Sequence, residues 1–218
     1  MWVHLQREIE NLKKDLLALG AIVEENVQKA VKSFEERDSD LASSIIDSDY
    51  EVDQREVEIE EECLKILALY QPVAKDMRFI VSILKINNDL ERIGDLAVNI
   101  AERAVFLTIR PAADIHLDFR TMAKETIDMV KKSLDSFVNM DPGLAKEVCE
   151  ADDVIDAKKI KIRTMVEEAI KKEPVRTEDF LQYMSVARNL ERIADHATNI
   201  AEDVIYMVKG NIVRHRMG

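Results

Sequence analysis

Two carboxylates four residues apart fall on one face of a helix, and this chain does so four times: Asp49 with Asp53, Glu91 with Asp95, Asp152 with Asp156, and Glu191 with Asp195. An ionised carboxylate only accepts hydrogen bonds. Four of them gathered without a counter-charge repel one another, and a hard or borderline cation with a preference for oxygen is the chemically consistent filling. One pair alone carries little weight, because acidic residues at i and i+4 are common on solvated helix faces and repel there by only about 0.2–0.5 kcal/mol.

The pairs gain weight from a duplication. Residues 90–102, Leu-Glu-Arg-Ile-Gly-Asp-Leu-Ala-Val-Asn-Ile-Ala-Glu, return one hundred residues later as Leu-Glu-Arg-Ile-Ala-Asp-His-Ala-Thr-Asn-Ile-Ala-Glu, with ten of thirteen positions identical. The shared positions include Glu, Arg, Asp, Asn and Glu opposite the apolar seam, which packing alone does not require. If the segments before and after Pro72 form a hairpin, Asp53 and Glu91 each stand 19 residues from the turn, and Asp49 and Asp95 each stand 23 from it. In the second half, Asp156 with Glu191 and Asp152 with Asp195 are likewise level about a turn beside Pro174. Antiparallel neighbours pack about 8–10 Å apart, so each set of four shares one groove and could converge on a cation. Arg92 and Arg192 offer the competing outcome, a metal-free ionic patch. Asn99 and Asn199, four residues beyond Asp95 and Asp195, could add hydrogen bonds. His196 adjoins the second set, but Leu96 stands at the matching place, so it is read as a neighbour rather than a ligand.

The elements that must position these groups are helices. Apolar residues alternate at steps of three and four almost throughout, with 5 Gly and 4 Pro in 218 residues. One seam runs Ile83, Ile86, Leu90, Ile93, Ala97, Ile100, Ala104, Leu107. Its counterpart runs Tyr183, Val186, Leu190, Ile193, Ala197, Ile200, Val204, Met207. Expected breaks at 38–40, Pro72, 110–114, 141–143 and Pro174 leave six helices, near 3–36, 40–70, 74–108, 115–139, 142–171 and 177–209. The predicted fold is all-α, two repeated antiparallel three-helix bundles, residues 1–110 and 111–218. Their junction is short and not rich in Gly or Ser, so the bundles are expected to abut.

Composition narrows the partners. The net charge of −12 disfavours nucleic acid and anionic membrane surfaces and suits cations or basic proteins. No signal-peptide pattern and no run of about 18 apolar residues occurs, so a soluble cytoplasmic protein is expected. Cys63 and Cys149 lie in helical patterns at unmatched positions and are read as packing residues.

The repeated Glu-x-x-x-Asp motifs, their Asp-x-x-x-Asp partners and the opening His4-Leu-Gln-Arg-Glu-Ile-Glu-Asn-Leu-Lys-Lys-Asp-Leu-Leu together resemble the PhoU family of phosphate-transport regulators over nearly the whole chain. The resemblance implies multinuclear metal clusters on the bundle surface. Asp49, Asp53, Glu91 and Asp95 would hold one cluster, and Asp152, Asp156, Glu191 and Asp195 the other. Iron or zinc heads the candidate ions, followed by magnesium, manganese or calcium. It further implies a homodimer and a negative regulator of the phosphate regulon, an adapter between the ATPase subunit of a phosphate importer and a sensor histidine kinase. Two rivals differ in class. A di-metal oxidase would need Glu-x-x-His pairs inside the bundle, which are absent, and no catalytic constellation is expected. A metal-free helical scaffold, or a phosphate-permease accessory protein, would bind a basic partner in the acidic grooves.

Overall fold

The computed structural model describes residues 2–113 and 115–209. The final stretch of the predicted second repeat, 210–218, and Asp114 of the predicted junction lie outside the described residues. Six helices are present: α1 (Trp2–Glu36), α2 (Ser39–Tyr70), α3 (Ala74–Thr108), α4 (Phe119–Asn139), α5 (Pro142–Lys172) and α6 (Thr177–Lys209), with one 3-10 turn, Pro174–Arg176, before α6. Several boundaries have a local cause. Asp38 caps α2 by accepting from the Leu41 amide at 2.9 Å, and Gln71 ends it in the left-handed region ahead of Pro72. Asp141 caps α5 through the amides of Gly143 and Leu144, with Pro142 in the first turn where no amide donor is needed. The fourth helix, predicted from 115, begins at Phe119 because Asp118 turns its carboxylate onto the Thr121 amide and makes itself the cap.

The fold is all-α and consists of two repeated three-helix bundles, α1–α3 and α4–α6. They lie side by side, with α3 against α6 and α1 against α4, so that these four helices form the centre. Among the described residues, α2 touches only α1 and α3, while α5 touches only the helices of its own bundle and the turn before α6. The order of cross-contacts makes α3 and α6 antiparallel: Lys85 pairs with Asp203 at 2.9 Å near one end, and Arg110 with Glu178 at 3.0 Å near the other. Between them the His196 ring nitrogen Nδ1 lies 2.8 Å from Asp89 Oδ1.

One continuous apolar core runs through both halves. Both seams read from the sequence are buried almost throughout, Tyr183 being partly covered, and so are Leu12, Leu16, Leu19, Val23, Val27 and Ala30 of α1. Between the halves, Phe34 meets Phe119 and Tyr183 edge-on, and Phe79 stacks on Phe137 at 5.1 Å. Gly20 lets α1 and α4 approach closely, since a Cβ there would lie 2.5 Å from Leu134 Cδ1 and the leucine side chain would have to shift. Cys63 and Cys149 are packing residues, as expected. Burial pushes their thiols up to about 12 and about 11, away from reactive thiolate chemistry.

Candidate metal centres

Each hairpin brings its acids to one level. In the α2–α3 hairpin, Asp49 feels Asp53 on its own helix and Asp95 across the groove, and Glu91 feels Asp95, Asp53 and Glu56. The positioning is a consequence of packing. Val52, between Asp49 and Asp53 on the inner face of α2, is fully buried against the small surface of Gly94, where an added Cβ would lie 3.1 Å from Val52 Cγ1. The acids that flank this contact, Asp49 and Glu91 three residues before it and Asp53 and Asp95 one residue after it, are therefore held at the rim of the groove. Ile155 and Ala194 occupy the matching positions in the α5–α6 hairpin and are also buried.

The first set is electrostatically strained. Partial burial first, then the neighbouring carboxylates, raise the carboxyls of Asp49 and Glu91 above the usual range. Glu56 is raised too, by burial and then by Glu60 and Asp53. The competing cation expected from the sequence is present: Arg92 lies 3.1 Å from Asp95 Oδ2 and 3.3 Å from Glu91 Oε2. It is half exposed and does not complete the site, because Glu91 Oε2 is a buried oxygen that receives no hydrogen bond. Asn99 donates to the Asp95 backbone carbonyl at 2.8 Å rather than to a carboxylate.

The second set is arranged differently. Lys159, one turn along α5 from Asp156, places its ammonium 2.8 Å from both Asp156 Oδ1 and Glu191 Oε1, bridging the two helices. Those two hydrogen bonds raise the lysine's own proton affinity. Asp152 and Asp195 lie outside the bridge. Burial and then Asp195, Asp156 and Glu191 push the Asp152 carboxyl up to about 6. Asp195 is raised by burial and by Glu191 and Asp156, against the opposing pull of His196 and Lys159. His196 is a neighbour, as read from the sequence, engaged with Asp89, and Asn199 also reaches Asp89, at 3.4 Å.

The eight acids thus form two sets of four, close enough to repel. Among the described residues, no three His, Cys, Asp or Glu side chains are drawn into a metal-ligating group as they stand. By donor chemistry the first set fits a hard or borderline cation: four carboxylates, one with a buried oxygen that accepts no hydrogen bond, and a further acid, Glu56, beside it, with the half-exposed Arg92 as the cation a metal would displace. The second set carries its own cation. Sequence reasoning focused on acids and missed both Glu56 and Lys159, which occupy matching positions in the two repeats. The signal was available, since Asp49 and Asp53 match Asp152 and Asp156 at a spacing of 103, and the same spacing carries Glu56 onto Lys159.

A duplicated six-helix protein with paired acidic grooves on its hairpins is a recognisable class. The PhoU domain family model matches residues 16–104 and 119–204, and the chain belongs to that family. A Thermotoga maritima protein named phosphate-specific transport system accessory protein PhoU homolog 1 is 39% identical over 209 residues, spanning 95% of this chain and 90% of its own length. The crystal structure of PhoU from Pseudomonas aeruginosa superposes with a TM-score of 0.91 at 37% identity, covering 94% of this chain and 99% of that one. A phosphate transport system regulatory protein PhoU from Streptococcus pneumoniae gives 0.86 at 29% identity, covering 96% and 99%.

Proposed function

We propose that this chain is a cytoplasmic, non-enzymatic accessory protein of a phosphate transport system. In this reading it restrains uptake and phosphate-regulon signalling by coupling the ATPase subunit of an ATP-driven importer to a sensor histidine kinase. The observation that carries the reading is likeness to PhoU proteins over nearly the whole of both chains, rather than at one motif. A soluble adapter agrees with two further facts. No helix among the described residues is long and apolar enough to cross a membrane, and the net charge of −12 favours protein or cation partners over nucleic acid. A homodimer is part of the same proposal.

Metal binding belongs to this proposal as well. Asp49, Asp53, Glu91 and Asp95 would hold a metal cluster at the first groove, with iron or zinc ahead of magnesium, manganese or calcium; Asp152, Asp156, Glu191 and Asp195 are the family's corresponding set. A bound cation would neutralise the first groove and present open coordination positions on its rim. A second reading, a metal-free surface that docks a basic partner, is favoured by Arg92, which already shows how a guanidinium is received between Glu91 and Asp95.

The test is deletion of the gene in its host, with phosphate uptake and a regulon reporter read in phosphate-rich medium. Derepression of both, restored by the wild-type chain and accompanied by co-purification of the importer ATPase, is expected. Unchanged uptake and reporter output in the deletion strain would overturn the role.

A further inference from the structure

We propose that Lys159 is a built-in counter-cation that takes the place of a metal ion at the second acidic site, so that the two repeats differ in metal occupancy. This deepens the proposed metal binding and rests on it for the first site only. Lys159 Nζ sits 2.8 Å from a carboxylate on each of the two helices that form the groove. It therefore lies between Asp156 and Glu191, two of the four groups that would face a cation there. The contact to Glu191 is inter-helical and partly shielded, unlike the exposed i,i+4 pairs elsewhere on the surface, while that to Asp156 stays within α5 and is more open.

The repeat supplies the control. Where α5 carries Lys159, α2 carries Glu56, whose side chain is turned toward Asn87 and adds a negative charge beside Asp53 and Glu91. One turn further, Glu60 matches Arg163. Two grooves with the same four acids thus differ in charge at this rim position; the cation of the first groove, Arg92, contacts Glu91 and Asp95 along α3 alone and does not cross to α2. A lysine in hydrogen-bond contact with two prospective ligands must be displaced before a metal can use them, and that displacement leaves an ammonium without its partners. A glutamate at the same place has no such cation to displace and adds negative charge beside the acids instead.

The experiment uses the full-length chain without an affinity tag, loaded with iron or zinc, desalted and assayed by elemental mass spectrometry. Wild-type protein is expected to carry metal that is lost in D49N/D95N and retained in D152N/D195N. K159E, which copies the first groove into the second, is expected to raise the metal content to about twice that of wild type, and E56K to lower it. Equal losses in the two double variants, or no gain in K159E when wild type is loaded, would overturn the proposal. A second measurement holds if no variant takes up metal, an outcome that refutes the metal reading by itself. In chelator, K159M leaves four acids unbalanced and is expected to melt ~2–4 °C or more below wild type, with helicity at low temperature unchanged. An unaltered melting temperature in chelator would overturn the counter-cation role regardless of metal content.

Discussion

The two acidic grooves share four carboxylates, a hairpin and a packing contact, yet they solve the same electrostatic problem in different ways. Both must hold like charges level across a helix pair, around buried residues at matching positions: Val52 against Gly94 in one hairpin, Ile155 and Ala194 in the other. In the first, Arg92 offsets only part of the repulsion from its place on α3, and Glu56 adds to it. In the second, Lys159 draws Asp156 and Glu191 together and the residual strain falls on Asp152 and Asp195. A duplicated core can therefore be preserved while one residue on its rim, Glu56 in one copy and Lys159 in the other, reverses its charge. Core residues answer to their neighbours inside the bundle, whereas a rim residue is free to change sign.

The comparison is open to attack from several sides. The largest effect should come from the shared core. Leu90 and Leu190 are both 0% exposed, and Leu90→Ala and Leu190→Ala should each cost about 2–5 kcal/mol in chemical denaturation. A large difference between them would mean that the halves are not equivalent even inside. Chelation should come next. Removing a cation held at a hundredfold excess over its Kd should lower stability by about 2.7 kcal/mol, and calorimetry of D95N should show no such loss, while D195N behaves as wild type.

Acidity should act more gently and in a stated direction. The Asp152 carboxyl titrates near 6 in the folded chain, against an ordinary 3.8, so the folded state holds that proton more tightly than the unfolded state. Taking the chelated protein from about pH 7.5 to about pH 5 should therefore stabilise it, and the gain should be lost as pH rises again through 6. The denaturation midpoint of Asp152→Asn should vary less over that window. The smallest effect is expected between the halves. His196→Leu, a change toward Leu96 of the first repeat, removes the contact to Asp89 and should cost about 1 kcal/mol, with metal content unchanged.

Much of this was legible in the chain itself. Six helices, their turns, both seams and the levelling of the acids follow from a periodicity near 3.6, the placement of Pro72 and Pro174, and a repeat long enough to align by eye. The start of α4 was not, because Ile115 and Leu117 extend the run of apolar residues ahead of the helix while Asp118 accepts from the Thr121 amide and sets the boundary. The role of Lys159 escaped for a different reason. Charge runs on helices are usually solvated, and only the reach of one side chain across the groove distinguishes a bridging lysine from a surface one.

The sequence by itself determined that the protein is all-helical, that it is built twice, and that each copy aligns four acids, because backbone periodicity and hairpin register are local properties written in residue spacing. Only the tertiary structure decided that α3 and α6 run antiparallel through the centre with α2 and α5 outside, because that choice depends on which apolar faces bury one another across long sequence separations. It also decided which acids meet a cation of the chain's own. Side-chain reach, burial and the few ångströms between Lys159, Asp156 and Glu191 exist only once the two helices have packed.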